Sequence, residues 1–271
     1  GVTVNTARAR SSTQNSATLS AAGTLQTAKD LKVNAQSMSR ANAYARTYDT
    51  DVGVITVGSV VAKAFASDQT LAALDGVWAV IEGGVDVTAT GFSSARATTQ
   101  LPTTVAVIAA PVANVYAQIG GSLNDEDNED EDRVIYDDEY NSVEASIGEG
   151  TILLVWGGDV NVNASSTADV QAGYTRSGAI VSPVTVAVSG VTTETYNRAE
   201  ARVGESAFLR TMDSLNVEAH EQTQANAAIE CGTDVGIVLN VTDVEIRNTA
   251  FSDAKVLVSN NASLWDAEGI R

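Results

Sequence analysis

Apolar and polar residues alternate along this chain in one short pattern, apolar-x-Val-x-Ala, that recurs four times. The copies are Leu31-Val33-Ala35, Val85-Val87-Ala89, Val160-Val162-Ala164 and Leu215-Val217-Ala219, and their first residues lie 54, 75 and 55 positions apart. The long middle interval holds one abnormal stretch, Ser122 to Asn141; without it the period is 54–55 throughout. Side chains spaced by two share one face of an extended strand. A fixed period of this size predicts a stacked repeat in which each unit buries its apolar face against its neighbours.

The phase persists beyond the motif. Eight and ten positions after the central Val come Ala41/Ala43, Ala95/Ala97, Val170/Ala172 and Ala225/Ala227. At 22 and 24 come Ile55/Val57, Ala109/Pro111, Val184/Val186 and Leu239/Val241. The polar segments Gln36–Ser39, Thr90–Ser93, Ser165–Thr167 and His220–Thr223 read as corners between strands. So do the pairs ahead of each motif, Lys29-Asp30, Gly83-Gly84, Gly158-Asp159 and Asp213-Ser214, where Gly and Asp suit strained φ. A helical repeat would need apolar residues at i, i+3, i+4 and i+7, which this alternation denies.

The fold expected is all-β: a parallel β-helix, or β-solenoid, right-handed and continuous over residues 1–271, with an acidic loop inserted at 122–142. Each 54-residue unit is expected to hold two or three rungs of about 18–27 residues, giving a rod on the order of 50–70 Å at about 4.8 Å per rung. The four central valines, Val33, Val87, Val162 and Val217, are expected to stack in one inward column.

Composition narrows the function. The net charge is −18, and residues 122–142 hold ten Asp/Glu against one Arg. With four lysines in the chain, phosphate neutralisation has no basic patch to work with, so nucleic acid is not an expected partner. No apolar run approaches the length of a membrane span, and no signal-peptide pattern opens the chain. The single Cys231 offers neither a disulfide nor a cysteine metal site, and reads as a small buried residue. Both ends fall mid-pattern: Gly1-Val2-Thr3-Val4 starts within a strand-like run, and Ile270 falls 55 residues after Leu215. Two readings follow, a window from a longer repeat or a subunit whose ends stack on neighbours. Head-to-tail association would bring Val2–Val4 against a segment near Leu264–Ile270.

Candidate chemistry is sparse. In the insert, Asp125, Asp127, Glu129, Asp130 and Asp132 place hard oxygen ligands at alternating positions, as a Ca²⁺ loop does. Asp130 stands where an EF-hand needs its turn glycine, and the rival reading is a solvated acidic loop. The only histidine, His220, has no nucleophile-elbow sequence to serve and reads as an exposed corner residue. Asp30, Asp159 and Asp213 share one repeat phase, the row a polysaccharide-cleaving β-helix would need, but turns favour Asp for backbone reasons and whole repeats separate them. Trp78, Trp156 and Trp265 precede the motif by 7, 4 and 5 residues; strand-face packing and sugar stacking both fit. No catalytic residue and no cofactor other than Ca²⁺ is expected.

Ala145-Ser146-Ile147-Gly148-Glu149-Gly150, followed by Gly157-Gly158-Asp159-Val160-Asn161-Val162-Asn163-Ala164, resembles the repeats of large bacterial filamentous adhesins and haemagglutinins, including the leukotoxin-like adhesins. Echoes occur at Ala117–Gly120 and Ala201–Gly204, while the first unit departs from the pattern with Ala73-Leu74-Asp75-Gly76. The resemblance implies a right-handed parallel β-helix, at the cell surface or secreted, with a structural or adhesive role and no catalytic residues. The function expected is a non-catalytic segment of an extracellular filament or adhesin stalk, with its own copies or neighbouring repeats as partners and a glycan or host surface as a possible ligand. The alternative is a carbohydrate-binding or polysaccharide-degrading β-helix.

Overall fold

The computed structural model describes residues 2–21, 23–27, 29–47, 51–121, 140–235 and 239–266. They form parallel β-structure, with no helix among them. The first coil is β1 (Val2–Ser20), β2 (Thr24–Thr27) and β3 (Leu31–Arg46); the second is β4 (Asp51–Asp75), β5 (Trp78–Ile81) and β6 (Val85–Leu101). The third holds β7 (Thr104–Ile119), β8 (Asn141–Ile147), β9 (Ile152–Val155) and β10 (Val160–Arg176). The fourth holds β11 (Ile180–Val181), β12 (Val184–Val203), β13 (Phe208–Thr211) and β14 (Leu215–Glu230). The last described coil is β15 (Asp234–Val235), β16 (Leu239–Val258) and β17 (Ser263–Trp265).

Each coil crosses three sheets. A long sheet contains β1, β4, β7, β8, β11, β12, β15 and β16; a short sheet stacks β2, β5, β9, β13 and β17; a return sheet stacks β3, β6, β10 and β14. Val2 lies beside Val57, Leu31 beside Val85 and Val160 beside Leu215. Ladder partners are therefore 54 or 55 residues apart, and the expectation of two or three rungs per unit is corrected. One whole unit makes one coil, because strands of 16 to 25 residues replace the short ones assumed. The length of the body runs along the strands, and its height across five coils is only about 20 Å.

The segments read as corners inside the return sheet are not corners. Gln36–Ser39 and its counterparts lie within continuous strands. True corners flank the short sheet. Lys29-Asp30 and its three counterparts turn the chain into the return sheet, as expected. At the other corner Gly76, Gly150, Ser206 and Asn261 occupy one column, all at φ between 56° and 65°. That column explains the Gly in Ala-x-Ile-Gly-x-Gly: the corner needs a left-handed residue, and Gly takes it without strain. The first unit departs from the motif in sequence, yet Gly76 fills the same place.

The central valines do form one column. Val33 pairs with Val87, Val87 with Val162 and Val162 with Val217, all buried. They belong to an apolar cluster lined by the short sheet and the adjoining ends of the other two. A second cluster, rich in Ala, lies farther along between the long and return sheets. The aliphatic pairs 22 and 24 positions on turn out differently. Ile55 pairs with Ile108 and not Ala109, and Ile55, Ile108, Val186, Leu239 and Val241 are exposed on the outer face.

Candidate functional site

Polar residues separate the two apolar clusters and continue through the interior from coil to coil. On the long-sheet side, Asp68, Asn141 and Asn197 occupy one register position and are fully buried. Across from them lie Ser37, Ser39, Ser93 and Ser166, also buried. Ser37 Oγ donates to Asp68 Oδ2, and Thr70 Oγ1 donates to Asp68 Oδ1 at 3.2 Å. In the next coil Ser93 Oγ donates to Asn141 Oδ1 at 2.7 Å. Asn141 Nδ2 and Ser166 Oγ both donate to Asn197 Oδ1, at 2.8 and 2.6 Å, and Asn197 Nδ2 donates to Glu221 Oε1 at 2.8 Å. Gly91 faces this seam where a Cβ would sit 2.9 Å from Asp68 Oδ2. Burial pushes the Asp68 carboxyl above its usual value, against the lowering effect of its Ser37 and Thr70 hydrogen bonds. Interlocked polar groups of this kind fix which residue faces which, since a one-residue slip would leave buried groups unpaired.

Asn141 was assigned to the insert by sequence, yet it opens β8 and joins the seam. The spacing to Asn197 is 56, nearly the repeat period, and is the signal that could have placed it. Ile119 pairs with Thr195 and Asn141 with Asn197, so residues 120–140 stand opposite one residue of the next coil, Tyr196. Where the chain rejoins, Tyr140 meets Tyr196 edge-on, Arg198 lies 4.3 Å over the Tyr140 ring, and Tyr196 stacks on Phe251. Asp125, Asp127, Glu129, Asp130 and Asp132 lie outside the described residues. Among the described residues no three His, Cys, Asp or Glu side chains cluster to hold a metal.

The outer face of the long sheet carries a groove of about 700 Å³ near its corner with the short sheet, lined in part by Glu144, Ser146, Arg202, Glu205 and Leu257. Glu144 and Glu200 are ladder neighbours, as are Ser146 and Arg202. Burial, and then the Glu200 charge beside it, push the Glu144 carboxyl above its usual range; Ser146 and Arg202 pull the other way. A proton-holding carboxylate beside an ionised one and an arginine is the pairing acid–base chemistry on a sugar uses. Composition and spacing did not single these residues out.

The aspartates of the repeat row are closer than whole-repeat separation suggested, because one repeat is one coil. Each is nonetheless engaged with backbone. Asp30 Oδ1 accepts from Gly84 N at 3.0 Å, Asp159 Oδ1 from Ser214 N at 3.1 Å, and Asp213 Oδ2 from Gly158 N. They tie one corner to the next. His220 lies within β14 on the outer face, 3.1 Å from Glu218 Oε2, and is exposed. Cys231 is exposed, not buried. Trp78, Trp156 and Trp265 are more than half exposed beside the short sheet, in three different register positions. Strand-face packing therefore does not bury them.

No protein-family model matches the chain, and no curated protein or solved structure matches it. The likeness to filamentous adhesins thus stands on the motif residues alone.

Proposed function

We propose that the chain is a non-catalytic structural module that stacks coil on coil, end to end, within an extracellular filament or adhesin stalk. The observation that carries this reading is the pair of long unpaired edges. Among the described residues β1 pairs only with β4, and β16 only with β12. At the β16 end, Ile246, Val256 and Val258 continue the inward columns of Val191, Ala201 and Val203, yet remain about half exposed. An open ladder backed by unburied core residues recruits another strand. Continuing the register places Ala7, Ala17 and Leu19 of the next copy under those three residues. This moves the expected contact of Val2–Val4 from Leu264–Ile270 to Val241–Asp243, because β1 belongs to the column of β16. The contact is heterologous and does not close, so copies add into an open filament. The adhesin-like motif supports the surface location. No helix among the described residues is long and apolar enough to cross a membrane.

Negative-stain electron microscopy tests the reading. Filaments with a repeat of about 24 Å per copy, five coils at about 4.8 Å, are expected, and Ile246→Asp should abolish them. Particles with no end-to-end contact at millimolar concentration would overturn it. Calcium binding by the acidic insert is a separate proposal, which calorimetry with Ca²⁺ reads directly.

The groove around Glu144, Glu200 and Arg202 supports a second reading, a glycan-binding or glycan-cleaving β-helix. Release of reducing ends from a polysaccharide, lost in Glu144→Gln, would favour it over the structural one.

A further inference from the structure

The start of the long sheet is built inside out. On its inner face lie small or polar residues: Gly53, Thr56 and Gly58 in β4, Ala106 and Ala109 in β7, and Ala187 in β12, most of them buried. On its outer face the same strands carry Val and Ile. Val52, Val105, Val181 and Val235 are ladder neighbours through four coils, all exposed. Ile55, Ile108, Val184 and Leu239 form a second column. Val54 and Val107 add to the face in coils two and three, at 72% and 52% exposure; Val186 and Val188 add to it in coil four. Close approach of the return sheet accounts for the small inner residues. It gives no reason for β-branched aliphatics on the outside.

The face is also free of charge. The chain is 18% charged with a net of −18, yet Val52–Ala62, Thr104–Ile119 and Ile180–Thr193 contain no charged residue. Taking a fully exposed aliphatic side chain at about 100 Å², about a dozen residues near half exposure present roughly 600 Å². That lies at the upper limit of patches on ordinary monomers, about 300–600 Å². With backbone and rim it approaches the ~800 Å² that one partner contributes to a stable interface.

We infer that this face pairs with the same face of a second copy, side by side and independently of end-to-end stacking. A flat sheet face packs best on another flat face, about 10 Å away with side chains interleaved. Between two chains of −18, the uncharged face is where contact meets least repulsion. A two-fold arrangement puts that patch on its own copy. A lipid surface fits less well, since the aliphatic strips have no lysine or arginine among them for anionic headgroups.

Sedimentation of the full chain tests this. Ile246→Asp removes the end contact, and in that background a two-chain species is expected at micromolar concentration. Adding Val107→Glu should convert it to one chain, with the circular-dichroism melt unchanged. If that variant does not fold, the near-isosteric Val107→Thr should still weaken pairing about tenfold. A single chain at every concentration in the Ile246→Asp background would overturn the inference, as would a two-chain species that survives folded Val107→Glu. Co-sedimentation of single chains with phosphatidylcholine vesicles would also overturn it, in favour of lipid. Loss of filaments without loss of the two-chain species would affect only the stacking proposal.

Discussion

Strand β10 and the first half of β12 carry similar alternation with opposite sidedness. In β10, Val160, Val162 and Val170 point inward and are fully buried, while Asn161 and Asn163 look out. In β12, Thr185 and Ala187 are buried, and Val186 and Val188 face solvent. Period-two spacing identifies a strand and divides its residues into two sets, but it does not say which set is inside. Inner volume decides that. Near the short sheet there is room for Val, Leu and Ile; where the long and return sheets run close together, only small residues fit.

The largest expected effect comes from one substitution made on both sides of this comparison. Val162→Asp buries an unpaired charge between two coils and should cost more than about 5 kcal/mol, comparable to the stability of a whole domain. Val107→Asp, in an equally regular strand, should change the stability of the single chain by no more than about 0.5 kcal/mol. Chemical denaturation of both variants measures the contrast, and similar losses would mean that the two faces were assigned wrongly.

The seam between the clusters should come next. Asn197→Ala removes the acceptor of Asn141 and Ser166 and the donor to Glu221, and should cost about 2–4 kcal/mol through the groups left unpaired. A loss no larger than that of a surface substitution would show that the seam adds nothing to stability.

Asp68→Asn should act in the other direction. The folded carboxyl holds its proton to a higher pH than the unfolded one. Its contribution is therefore most favourable below the ordinary value of 3.8 and is lost as pH rises through the raised folded value. At pH 7 the neutral amide should be more stable by about 1–3 kcal/mol, the scale of one desolvated polar group. Melting at pH 4 and pH 7 checks the sign: the variant should show a smaller fall in stability than the parent.

The smallest effect should follow excision of residues 121–140. Gly120, whose N–H bonds Ala66 O at 3.0 Å, then stands alone between Ile119 and Asn141, opposite Ser67 and Tyr196. The melting temperature should move by less than about 5 °C, since a loop of this length alters closure entropy only modestly. Failure to fold would show that the ladder depends on the insert.

The sequence carried the repeat phase in full, because Val33, Val87, Val162 and Val217 occupy equivalent places with the same neighbours. It did not carry the length of a coil. Ser37, Ser93 and Ser166 resemble turn residues, so long strands were cut at places where the chain in fact runs straight through a buried seam. The pairing of Ile55 with Ile108 was missed by one residue because Val107 and Ile108 both face outward, a local break in alternation. Glu144 and Glu200 were missed for a different reason: the 56 residues between them were not expected to make one coil.

One cross-linking measurement tests that coil length most directly. Asn161 and Asn216 are ladder neighbours 55 residues apart, and Asn216 Nδ2 donates to Asn161 Oδ1 at 2.9 Å. In a Cys231→Ser background, Asn161→Cys with Asn216→Cys should form an intramolecular disulfide on mild oxidation. Asn161→Cys with Val188→Cys, half a unit apart, should not. A disulfide in the second pair and none in the first would contradict one coil per repeat.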